Sequence, residues 1–133
     1  MKIVFDTNVL LSAFLFRGFS AKVYDVCSVK FELFTSEWIL AELKEKLIEK
    51  FGIPNEKASE IRSIIIAKSS IKLPTNKLPV ICRDSDDNNI LQLSDFINAN
   101  YIITGDNDLL ILKNYKNAII ITPRKFFEMF FAT

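Results

Sequence analysis

The chain has 133 residues, half of them hydrophobic and 12 of them Phe, with only 3 Gly and 4 Pro. That is enough for one well-cored domain and too little for two, and it excludes a disordered or loop-dominated protein. Seventeen basic residues against 16 acidic leave a net charge of +1, and there is no His. A strongly basic nucleic-acid binder, His-based acid–base catalysis and His-ligated zinc are therefore excluded.

Residues 2–5 of the opening "KIVFDTNVLL" read as a short strand buried on both faces. Asp6, Thr7 and Asn8 interrupt the apolar run, and a helix begins behind them. "FELF" (31–34) is a second strand. In 36–50, "SEWILAELKEKLIEK", Ile39, Leu43 and Leu47 stack on one helical face with Leu40 beside them. Ser36 can cap this helix, and Glu37 suits the positive end of its dipole.

Residues 55–69 give another amphipathic helix, lined by Ile61, Ile64 and Ile65. The two prolines of 72–83, "KLPTNKLPVICR", mark a loop. Residues 84–99 form a helix beginning near Ser85, opened by acids and lined by Ile90, Leu93 and Ile97. "YIIT" (101–104) and "AIIIT" (118–122) are further strands. The tail 123–131, "PRKFFEMFF", is a short helix with Pro123 at its first position, apolar nearly all round. Core packing and a subunit interface stand about level for it, and a homodimer through Phe127, Phe130 or Phe131 is expected.

Apolar strands alternating with helices specify an α/β fold, one domain over 1–133, with a mainly parallel sheet and helices on both faces. Cys27 and Cys82 are widely separated and read as reduced thiols. The opening residues meet Asp6 too early for a signal peptide or membrane span. A cytoplasmic protein with no membrane partner is expected.

The acids fall in a pattern. Asp6 follows the first strand, Asp106 and Asp108 follow "YIITG", and Asp84, Asp86 and Asp87 open a helix. Each alone has a plain explanation as a cap, a dipole partner or, for Glu42, an i,i+4 partner of Lys46. Parallel strands, however, bring their carboxyl ends to one edge, where ligands bind. Carboxylates gathered there repel one another unless a cation lies between them, and hard divalent ions take such oxygens. The pattern predicts an acidic metal site.

"FDTNVLLSAF", Ser36 with Glu42, "CRDSDDNNILQLS" and "YIITGDNDLL" together resemble the motif series of PIN-domain ribonucleases, in the branch described as toxin components of toxin–antitoxin pairs. The resemblance spans nearly the whole chain. It implies an α/β/α sandwich and a Mg2+- or Mn2+-dependent endoribonuclease that cuts single-stranded RNA and has a cognate antitoxin. Its acidic positions match Asp6, Glu42, Asp87 and Asp106, with Asp84 and Asp108 as further acids of the branch. Members often carry another acid directly after the position of Asp87, where this chain has Asn88. Which of residues 84–88 is the direct ligand stays open.

On this reading Asp6, Asp87 and Asp106 bind metal, and Glu42 acts through water or positions the nucleophile. Thr7, Asn8, Ser36, Asp84, Thr104 and Asp108 support the site, and Arg17 and Arg83 contact phosphate. A metal-activated water would leave 5′-phosphate and 3′-hydroxyl ends. The rival with the same fold is a catalytically silent RNA- or protein-binding module. A dehalogenase-type phosphatase would need an acid where Asn8 stands, and a receiver domain would need a phosphoacceptor Asp that "FELFTS" lacks.

Overall fold

The computed structural model describes residues 1–131. Its first strand, β1 (Lys2–Phe5), is central because Ile3, Val4 and Phe5 are apolar toward both faces and all three are buried. β2 (Glu32–Ser36) and β4 (Tyr101–Ile103) pair with it in parallel, Ile3 lying between Leu33 and Tyr101. β3 (Ser69–Lys72) extends the sheet beyond β2, and β6 (Ala118–Ile121) extends it beyond β4, both in parallel. Only β5 (Asn114–Tyr115) runs antiparallel, giving the order β3-β2-β1-β4-β6-β5.

Seven helices complete the described residues: α1 (Thr7–Leu15), α2 (Phe19–Lys30), α3 (Glu37–Glu49), α4 (Asn55–Lys68), α5 (Asp87–Ile97), α6 (Asn107–Leu110) and α7 (Pro123–Phe130). Phe5 packs on Tyr24 of α2, and Tyr101 on Phe126 of α7, so these helices cover one face. Phe34 projects to the other face, toward Phe96 and Ile97 of α5. The result is the expected α/β/α sandwich. None of the helices is long and apolar enough to cross a membrane.

Several expectations need correction. The helix drawn over 55–69 stops at Lys68, and the next four residues form β3, whose "SSIK" sequence is polar because it is an exposed edge strand. Ile64 does not line the core: α4 buries Ala58, Ile61 and Ile65, and Ile64 is 42% exposed beside them. The helix expected to begin near Ser85 begins at Asp87, because residues 84–86 make a turn in which the Asp84 carboxylate accepts the Asp86 N–H at 3.0 Å. In α7, Phe126 is fully buried between Phe31 and Tyr101, while Met129 and Phe130 face solvent at 56% and 37% exposure. Both cysteines are free, Cys27 buried and Cys82 partly so.

Candidate metal centre

Parallel pairing places the ends of β1 and β4 side by side, and the residues behind them continue the ladder. The Asp6 N–H donates to the Ile103 carbonyl, and the Thr104 N–H to that of Ile121. Asp6 and Thr104 are thereby set against each other across 98 residues of sequence. Thr104 Oγ1 donates to Asp6 Oδ2 at 2.6 Å and accepts the Asp106 N–H at 2.9 Å. One buried hydroxyl thus orients one acid through its carboxylate and the other through its backbone. Asp106 caps α6, its Oδ1 accepting the Asp108 N–H at 2.8 Å.

Asp87 comes from α5, on the far side of the sheet edge. It is only 5% exposed, yet its Oδ2 has no hydrogen-bond partner. One oxygen each of Asp84, Asp87 and Asp106 lie within 4.8 Å of one another. Burial pushes the Asp87 carboxyl up to about 7, with the Asp106, Asp6 and Asp84 charges adding to the shift. Asp6 is raised too, chiefly by burial and less by Asp106, while the Thr104 hydroxyl, the Asn8 amide and Lys46 oppose the rise. Crowded, desolvated carboxylates with a buried oxygen left unpaired form a donor set suited to a hard cation, and the residues fit Mg2+ or Mn2+.

Glu42 stands to one side. Its carboxyl is raised mainly by burial, with Asp86 and Asp6 contributing and Thr7 and Lys46 opposing. The Thr7 hydroxyl is buried near it but makes no hydrogen bond of acceptable geometry. Asn8 is turned outward, where its Oδ1 accepts from Lys46 Nζ at 3.2 Å.

The remaining expected residues occupy varied places. Asp84, assigned to outer support, brings its carboxylate into the group with Asp87 and Asp106. Asp108 pairs with the exposed Arg83 at 3.2 Å, so both lie on the rim of the acid cluster. Ser36 caps α3 by accepting the Ile39 N–H. Arg17 is exposed in the α1–α2 connection and makes no ion pair among the described residues. Asn88 accepts the Ile81 and Cys82 N–H groups through its Oδ1 and fastens the preceding loop to α5.

Lys46 was read from sequence as a partner of Glu42 on a wet face. In the fold its ammonium opposes the rise of both the Glu42 and the Asp6 carboxyls. The i,i+4 spacing was visible in the sequence, but its neighbour Asn8 lies 38 positions away.

Fold and site together describe a three-layer α/β domain with an acidic centre at the carboxyl edge of its sheet. The chain belongs to the PIN domain family, whose model matches residues 2–108. It is also similar to a chain in the crystal structure of VapBC2 from Rickettsia felis bound to a DNA fragment from their promoter. That chain is 16% identical, with a TM-score of 0.67, and the match covers 92% of this chain and 98% of that one. No curated protein matches the sequence.

Proposed function

We propose that the chain is a single-domain, Mg2+- or Mn2+-dependent endoribonuclease that cuts single-stranded RNA in the cytoplasm. We further propose that it is the toxin of a toxin–antitoxin pair and acts as a homodimer. The observation that carries the nuclease reading is the unpartnered Asp87 oxygen, buried among the carboxylates of Asp84 and Asp106. A protein that needed these acids only as caps would have no reason to bury that oxygen unpaired. Membership of the PIN family and the likeness to the VapBC2 structure from R. felis support the biological assignment.

Asp87 and Asp106, grouped with Asp84, would hold the ion together with Asp6, whose charge acts on both. Bound there, a divalent cation acidifies water and offsets charge building on the attacked phosphate. Thr104 fixes the Asp6 carboxylate through its 2.6 Å hydrogen bond, so this ligand needs little reorganisation when substrate arrives. The raised Glu42 carboxyl can accept a proton from the nucleophilic water without a His. Arg83, paired with Asp108 on the rim of the acids, and the exposed Arg17 supply positive charge for the RNA backbone. In-line displacement leaves a 5′-phosphate and a 3′-hydroxyl.

The test is cleavage of an unstructured RNA with Mg2+ or Mn2+ present and after chelation. Expected are cutting that stops in EDTA and 5′-phosphate termini. Cleavage that survives chelation, or 2′,3′-cyclic phosphate ends, refutes the mechanism. Binding of RNA with no cleavage under any divalent ion favours a silent binding module.

A further inference from the structure

Beside the acid centre, with Glu42 on its wall, lies a depression of about 330 Å³, within the size range of ligand pockets. Its wall is one face of α3. Trp38, Glu42 and Lys46 recur at i, i+4 and i+8, and Ala41 and Glu45 fill the spaces between them. Asp86 closes the depression from the turn before α5. Trp38 is the chain's one tryptophan, and it also borders a second hollow lined by Lys72, Leu73, Pro74 and Gln92. It is partly exposed, with its other side packed on the core. An indole left open at the junction of two hollows, next to a reactive centre, offers a flat apolar surface that the fold itself does not cover.

The charge of the lining limits what can sit there. Glu42, Glu45 and Asp86 face one cation, Lys46. Of the groups an RNA carries, a backbone phosphate would be repelled by this lining, which leaves the uncharged bases. An unpaired nucleobase fits: it stacks on an aromatic ring and carries no charge, and its exocyclic amino group can donate to a carboxylate. A base stacked in a duplex does not expose its face.

We infer that Trp38 is a stacking platform for one unpaired base of the RNA adjoining the scissile phosphate, with Glu45 and Asp86 accepting from the amino group of that base. This rests on the ribonuclease reading, gives its single-strand preference a physical basis and adds a base preference. Single strands are selected over duplex because only they can offer a base face to Trp38. Adenine, cytosine and guanine are favoured over uracil, which has no amino donor.

As the one tryptophan, Trp38 reports on its own occupancy. In the Asp6→Asn variant with Mg2+, short single-stranded oligomers of A or C should quench the indole fluorescence saturably, U oligomers more weakly, and a blunt RNA duplex not at all. In the wild type, Trp38→Ala should raise the KM for single-stranded RNA about tenfold while lowering kcat by less, as loss of one stacked base implies. Trp38→Phe, which keeps a ring, should recover most of the loss and also shows that the fold tolerates the position.

Anisotropy that registers RNA binding while the fluorescence stays constant overturns the inference and leaves the ribonuclease intact. So does cleavage by Trp38→Ala with an unchanged KM. Quenching by a protein partner but not by RNA overturns it in favour of a protein groove. Saturable quenching in a chain whose wild type cuts nothing supports the platform and refutes the enzyme. Neither binding nor cleavage of any RNA refutes both.

Discussion

Replacing Asp87 by Asn should stabilise the metal-free protein, and should do so increasingly as pH rises. The folded protein holds the Asp87 carboxyl at about 7, against an ordinary 3.8. Between those values the native state retains a proton that the unfolded chain has released. Stability therefore falls as pH rises through this window: the penalty is absent below about 3.8 and complete above about 7. At about 1.4 kcal/mol per pH unit, the full penalty is about 4 kcal/mol.

That figure is a ceiling. Asp106 is only half-buried, the neighbouring acids share the strain, and the amide of Asn still has to be desolvated. A net gain on the order of 2 kcal/mol at pH 8 is the expected result, or a Tm increase of roughly 6–10 °C for a domain of this size. At pH 5 only about a third of the penalty is in force, so the increase should shrink in proportion. The assay is a pair of thermal melts, wild type and Asp87→Asn, at pH 5 and pH 8 after removal of divalent ions. Adding Mg2+ at pH 8 should then raise the wild-type Tm and bring the two proteins together, because only the wild type keeps the full ligand set. A variant that melts no higher than wild type at pH 8, or gains equally at both pH values, would show that Asp87 is comfortable as an anion.

Four other outcomes are expected. Asp6→Asn should abolish cleavage yet leave the metal-free fold at least as stable, since Asn can still accept the Thr104 hydroxyl; turnover and Tm measured on one preparation test this. Thr104→Val removes the hydroxyl that serves both Asp6 and the Asp106 N–H, and should cost about 1–3 kcal/mol together with most of the activity, as urea melts and RNA cleavage would report. Asp84→Ala should lose both activity and about 1 kcal/mol, whereas Asp86→Ala should keep most of its cleavage of a mixed-sequence RNA. A dead Asp86→Ala beside an active Asp84→Ala would reverse these assignments. Light scattering at tens of micromolar should give a dimer that Phe130→Glu converts to monomer; a wild-type monomer would leave Phe130 as a surface residue.

Much of this protein follows from local pattern. The apolar runs at Ile3–Phe5 and Tyr101–Ile103 could only be central strands, and the 3.6-residue spacing of Ile39, Leu43 and Leu47 could only be a helix with one buried face. From these the parallel α/β layering follows, and with it the meeting of acids at the sheet's carboxyl edge. Ser36 as the cap of α3 was equally visible, because capping is a contact across three residues.

Contacts between distant segments were not. The polar edge strand β3 takes its extended form from pairing with β2, and nothing in "SSIK" separates it from the end of the helix before it. The Asp84 carboxylate joins Asp87 and Asp106 because the Asp86 N–H pulls residues 84–86 into a turn, delaying α5 to Asp87. Asn88 serves the 81–82 backbone, and Lys46 serves Asn8 as well as Glu42. Sequence determined which groups reach the edge of the sheet, since strand register and helix period are local properties. Which of them share one cavity, and how far burial shifts their protons, depends on packing between residues up to 98 positions apart.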